Sequence, residues 1–123
     1  MSTASSGSTT PLRVLFCIGV LPANFEADAA TLRLLFDALK EAFGNLKERF
    51  GIDVLGTMDD DKLMVGPSTS FPWTSYILAD VPDLDTVSAV TNLLRVTEVG
   101  DSRMWRYLRI EARVGRPLFF GNA

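Results

Sequence analysis

The sequence predicts an α+β fold, a four-stranded antiparallel sheet with both helices on one face. Three observations predict it. Four stretches are β-branched or alternate between apolar and polar, and two carry apolar residues at spacings of three and four. They follow one another as strand, helix, strand, strand, helix, strand. Short connections and right-handed crossovers fold that order into a single sheet covered on one side.

The first strand is Leu12 to Val20, LRVLFCIGV, an apolar and β-branched run. LPANFEAD breaks it, and a long helix follows from about Glu26 to Phe50. Leu32, Leu35, Phe36, Leu39, Phe43, Leu46 and Phe50 form one apolar stripe along that helix. Gly51 offers its stop, and Gly44-Asn45 is a place where it weakens or divides. The second strand, Ile52 to Met58, ends in the acidic turn Asp59-Asp60-Asp61. Gly66, Pro67 and Pro72 make Lys62 to Pro72 a loop before the third strand, Trp73 to Ala79. Asp80, Pro82 and Asp83 open the second helix, with Leu84, Val87, Val90 or Ala89, Leu93 and Leu94 facing inward. Gly100-Asp101 turns the chain into the last strand, about Met104 to Val114. This is the ferredoxin-like βαββαβ order, with one domain over 12–123 behind a Ser/Thr-rich tail, 1–11, expected to be flexible.

Composition removes whole classes of chemistry. The chain has 123 residues, 12 Lys and Arg against 15 Asp and Glu, and a net charge of −3. That balance argues against attraction to nucleic acid or to anionic membrane. No histidine is present, which excludes His-based nucleophile triads and the usual His-containing metal sites. One cysteine, Cys17, excludes an intrachain disulfide. The apolar run Val14 to Leu21 falls far short of the roughly 20 residues a spanning helix needs, and a cytoplasmic protein is expected. The run Asp59 to Asp61 lacks the spaced ligands and closing Glu of a calcium loop, so no metal or other cofactor is expected.

The functional reading rests on the sheet face away from the helices. Strict alternation in the last strand puts Trp105, Tyr107, Arg109, Glu111 and Arg113 together on that face. Arg109 is the candidate for holding a carboxylate through two parallel hydrogen bonds, or else it pairs internally with Glu111 or Asp53. Trp105 and Tyr107 are suited to stacking on a planar ring, or to packing at a dimer interface. Glu111 is the candidate proton shuttle, raised in pKa by neighbouring aromatics or lowered by a nearby arginine. Trp73 and Tyr76 complete the candidate lining, and Cys17 reads as an inert small hydrophobe. Two tryptophans on an open face expose much apolar area, so face-to-face pairing of two sheets in a homodimer is expected.

The element order, the length and this polar-aromatic face resemble the dimeric α+β barrel superfamily. Its members include muconolactone isomerases, cofactor-independent quinone-forming monooxygenases and haem-degrading monooxygenases. The opening PLRVLFCIGVLPANFEADAATLRLLFDAL and the closing MWRYLRIEARVGRPLFFG resemble the IacB proteins of bacterial clusters that degrade indole-3-acetic acid. That resemblance implies a homodimer binding an indole acetate derivative, a small aromatic acid. Two roles then stand open. One is a cofactor-independent oxygenase or isomerase; the other is a non-catalytic accessory or dimerisation module that holds an intermediate or docks on the pathway oxygenase. The missing histidine sets aside the haem-degrading members of the superfamily.

Overall fold

The computed structural model describes residues 10–66 and 73–121. The expected tail and the 62–72 loop therefore lie partly outside the described residues. Strand β1 (Leu12–Val20) leads to a short helix α1 (Pro22–Glu26), then α2 (Ala29–Ala42) and α3 (Leu46–Phe50). Next come β2 (Asp53–Asp59), β3 (Ser75–Val81), α4 (Leu84–Thr91) and α5 (Leu93–Val96). A small hairpin, β4 (Glu98–Val99) with β5 (Ser102–Arg103), precedes a 3₁₀ turn, Met104–Arg106, and the final strand β6 (Leu108–Gly115). The main sheet has four strands in the order β2-β3-β1-β6, and every neighbouring pair is antiparallel.

The long helix expected from Glu26 to Phe50 is two helices, α2 and α3, and the break expected before it carries the short α1, for local reasons. Asp28 caps α2 by accepting the Thr31 backbone N–H at 2.8 Å, leaving the preceding residues to a separate turn. At the far end, a β-carbon on Gly44 would stand 2.6 Å from the Lys40 carbonyl oxygen, and Asn45 adopts the left-handed φ of 52°. Arg49 clamps this junction, its Nη1 donating to the carbonyls of Glu41, Ala42 and Gly44 at 3.0, 2.7 and 2.9 Å. Helix α3 then closes at Gly51, φ 70°, whose N–H reaches the Lys47 carbonyl while Ile52 N–H reaches that of Leu46. This is a Schellman-type end that glycine alone enters without strain.

One alternate set of strand residues meets the helices. Val14 and Phe16 of β1 pack with Ala79 and Val81 of β3, Leu46 of α3, Ile52, and Val87, Val90 and Leu93 of the α4–α5 segment. A second cluster joins Leu35 and Ala42 of α2, Leu94 of α5, Val99, Met104, Tyr107 and Leu108. Phe16, 1% exposed, sits between Ile77 and Ala112 on its neighbouring strands. Phe36 and Leu84, both expected inside, are exposed, as is Val114 of β6. Phe36 lies off the strip of α2 that touches the sheet, and Leu84 and Val114 stand at element ends beyond the core.

The last strand needs a larger correction. It begins at Leu108 and not at Met104, because Met104–Arg106 closes a 3₁₀ turn with Tyr107 N–H on the Met104 carbonyl at 2.9 Å. Such a turn brings residues three apart to one side, so Met104 and Tyr107 both enter the core. The alternation that grouped Trp105 and Tyr107 with Arg109 and Glu111 therefore does not apply before Leu108.

Candidate functional site

The uncovered sheet face is built from the other alternate set. Register places Arg13 opposite Asp80, Leu15 between Leu78 and Arg113, and Cys17 between Tyr76 and Glu111. On the β2 side, a register shift between Val54 and Gly56 brings Gly56 beside Leu78 and Met58 beside Tyr76. Charge on this face is organised in ion pairs. Arg13 Nε meets Asp80 Oδ1 at 2.6 Å, and Arg113 Nε meets Glu111 Oε2 at 2.8 Å. On the β2–β3–β1 side of the face lies an apolar depression of about 410 Å³ lined by Leu15, Gly56, Thr57, Met58, Tyr76 and Leu78.

Hydrogen bonding tunes the polar groups of this face. The Tyr76 hydroxyl donates to Asp60 Oδ2 at 3.0 Å, with the Trp73 carbonyl at 3.2 Å as its alternative acceptor. Lost water contact, then the bond to Asp60, push the Tyr76 phenol above its usual value. Asp60, in the acidic run expected to be a solvated turn, thus holds the phenol of a sheet residue. Cys17 is 1% exposed, and burial pushes its thiol up despite the opposing pull of the Arg113 cation. A protonated, shielded thiol is a poor nucleophile.

A second arrangement lies at the β6 edge. A cleft of about 300 Å³ is lined by Leu21, Thr91, Leu94, Arg95, Trp105, Leu108, Arg109 and Ile110. Helix α5 supplies Arg95, the 3₁₀ turn supplies Trp105, and β6 supplies Arg109. The Arg95 guanidinium lies over the Trp105 ring, 5.3 Å from its centroid, a cation–π contact that holds the indole as a wall of the cleft. Trp105 remains 55% exposed, so its ring is accessible. Both charged residues in the lining are arginines.

The structure thus divides the residues singled out from sequence. Trp105 and Arg109 come together in the edge cleft. Tyr76 and Glu111 flank Cys17 on the open face, with Trp73 just ahead of β3 and touching the Tyr76 hydroxyl through its carbonyl. Tyr107 is buried in the core, and its carbonyl accepts the Leu21 N–H at 2.9 Å. Glu111 pairs with Arg113, and Asp53 with Lys47 at 2.7 Å. Arg95 is the functional candidate that sequence reasoning missed. Its signal was its place immediately after the inward pair Leu93-Leu94, at the helix edge.

Comparison with family models, with curated proteins and with solved structures returned no match to this chain. Among the described residues, no helix is long and apolar enough to cross a membrane. What the fold itself establishes is the class: an α+β protein with a four-stranded antiparallel sheet, helices on one face and an edge cleft walled by tryptophan and arginine.

Proposed function

We propose that the protein binds a small planar aromatic carboxylate, of the indole acetate kind, in the edge cleft. The observation that carries this reading is the pairing of Trp105 with two arginines, Arg95 and Arg109, in one otherwise mostly apolar cleft. An indole-sized ring fits against the Trp105 face and the Leu94 and Leu108 side chains, while a guanidinium fork offers a carboxylate two parallel charge-assisted bonds. A volume of about 300 Å³ stands at the lower end of small-molecule sites and suits a ligand of that size.

The accessory role is favoured over an oxygenase or isomerase role. Glu111, the residue assigned to proton transfer from sequence, is engaged by Arg113 at 2.8 Å on the open face, and no carboxylate is among the described residues that line the edge cleft. Binding without turnover needs neither a proton shuttle nor a cofactor.

The same reading takes the fold as ferredoxin-like and the working unit as a homodimer closed through the open face, in the manner of a dimeric α+β barrel. The strand order β2-β3-β1-β6 supports the first part. The exposed Met58 and Leu78, beside Leu15, support the second, since a face of this kind gains by covering apolar area.

The test is a titration of the protein with indole-3-acetate and with its neutral amide, followed by calorimetry and by tryptophan fluorescence. The acid is expected to bind and to quench Trp105, with the amide weaker by about tenfold or more. Arg109→Ala is expected to remove the preference for the acid. Equal affinity for acid and amide, or an Arg109→Ala variant that binds the acid as before, would overturn the reading. Appearance of a product by mass spectrometry would replace the accessory role with a catalytic one.

A further inference from the structure

The C-terminal segment after β6 ends the described chain with two aromatic rings in water. Phe119 is 96% exposed and Phe120 60%, and their rings touch each other edge-on at 4.8 Å between centroids. Two exposed phenylalanines side by side are an unfavourable surface for a chain on its own. The open sheet face carries a matching vacancy, the apolar depression floored by Leu15, Gly56, Met58 and Leu78. Gly56 contributes to that space directly, because nothing stands within 4 Å of where its β-carbon would be.

We propose that the Phe119-Phe120 segment of one copy seats in the Leu15–Gly56–Met58–Leu78 depression of a second copy, so that each protomer of a symmetric dimer clasps the other. The inference rests on the homodimer reading and names the contact that holds it. Three features argue for a second copy as the occupant. The strand order places the segment's origin, β6, at the opposite side of the sheet from the depression on β2 and β3. A two-fold axis running along the strands reverses that order, bringing β6 of one copy alongside the β2 edge of the other and leaving the depression between the sheets open. The same axis keeps strand ends together, so the segment leaving Gly115 starts near the partner's Asp53 end of β2, since Gly115 neighbours Arg13, Arg13 neighbours Asp80, and Asp80 neighbours Asp53. From there, Gly56 lies about 10 Å along the strand, a distance the four residues from Arg116 to Phe119 can cover.

Charge also favours the pairing. The chain as a whole is at −3, which opposes self-association, yet the open face carries its charges as the pairs Arg13–Asp80 and Glu111–Arg113. An isologous interface sets such a face against itself, cation near anion, without accumulating one sign.

The experiment uses two full-length variants, Phe119→Cys and Met58→Cys, co-expressed with different tags and treated with a short bis-maleimide; native Cys17 is buried and shielded. A covalent species carrying both tags is expected, and either variant alone should give little of it. A double variant in which the reagent bridges the two cysteines of one chain would show the segment folding onto its own sheet and overturn the proposal. A chain that sediments as a dimer yet gives no mixed-tag species would overturn the clasp and leave the homodimer reading standing. A chain that sediments as a monomer at micromolar concentration overturns both. As an independent measurement, Phe119→Ser/Phe120→Ser is expected to weaken dimerisation by about tenfold or more, with indole acetate binding in the edge cleft unchanged. An unaltered dimerisation constant overturns the clasp.

Discussion

The two faces of the sheet are made by the same strands and differ in everything else. Toward the helices, Val14, Phe16, Ala79 and Val81 are almost wholly shielded, and no polar side chain intervenes. One residue over, Arg13, Leu15, Asp80, Glu111 and Arg113 alternate charge with apolar surface. The first face is determined by burial within one chain. The second has ion pairs, a tuned phenol and an apolar depression, and its exposed Met58 and Leu78 leave apolar area in water. Stability is therefore concentrated on one face, and the proposed homodimer would assign association to the other.

The sharpest way to break that comparison is to truncate neighbouring residues of β1. Phe16→Ala empties the centre of the covered face and is expected to cost about 3–5 kcal/mol in urea unfolding. Leu15→Ala, one position away and pointing to the open face, is expected to cost about 1 kcal/mol or less in dilute protein. Its loss should grow with protein concentration if a dimer covers the face. Equal costs at all concentrations would show that the two faces are not divided in this way.

Most of this division was legible in the sequence. Alternation through LRVLFCIGV sorts Val14, Phe16 and Ile18 from Leu15 and Cys17 correctly, because β1 pairs on both sides and cannot slip without turning its apolar set outward. Ile77 and Ala79 against Tyr76 and Leu78 follow for the same reason. The candidate site was legible only in part. Arg109 and Trp105 were identified, but as strand neighbours, whereas a 3₁₀ turn swings Trp105 to the edge beside Arg95. Met104 and Tyr107, three apart, carried the helical signal, and their β-compatible side chains masked it. The β4–β5 hairpin went unseen, since a pair of two-residue strands presents no period to read. Arg95 could not be read as a partner of Trp105 until the turn brought the two together across ten residues.

The helix layer owes part of its shape to one side chain, which gives a test at intermediate size. Arg49 satisfies the Ala42 and Gly44 carbonyls at the break after α2 and shares the Glu41 carbonyl with the Gly44 N–H. Arg49→Ala is expected to destabilise the chain by about 1–2 kcal/mol, and Arg49→Lys to recover only part of that, since all three bonds come from Nη1 and the lysine ammonium sits one bond nearer the backbone. Hydrogen exchange should rise first at the α2–α3 junction and stay unchanged on β1. A uniform rise would mean that the covered face and the helix junction unfold as one unit.

Cys17 tests the other side of the comparison, being an open-face residue by register yet as shielded as the core. Its thiol is expected to resist an aromatic disulfide reagent in the native state and to react on unfolding. Because burial holds the folded thiol above its ordinary value, the unfolded chain releases this proton first. Stability contributed here is present below the unfolded value and declines as pH rises through it toward the folded one. Cys17→Ala should remove that alkaline component. Rapid labelling of the native protein would show that the Tyr76–Glu111 surroundings open readily, and that the centre of the open face is less fixed than its register implies.

The smallest effect is expected where the helix layer meets water. Asp83 accepts from the Thr86 hydroxyl at 2.6 Å and from the Thr86 N–H at 2.8 Å, and these bonds hold its carboxyl below the ordinary value of 3.8. The charged cap favours the folded state above the unfolded pKa, and that advantage disappears as pH falls through the lower, folded one. Unfolding curves between about pH 5 and pH 2 should therefore be flatter in Asp83→Asn, which keeps an acceptor but cannot titrate. Asp28 titrates in the same window through its bond to Thr31, so the double variant Asp28→Asn/Asp83→Asn should flatten the curve further. If neither substitution changes the acid limb, the acid sensitivity of the fold lies in the ion pairs of the open face, and the covered face with its capped helices is indifferent to pH.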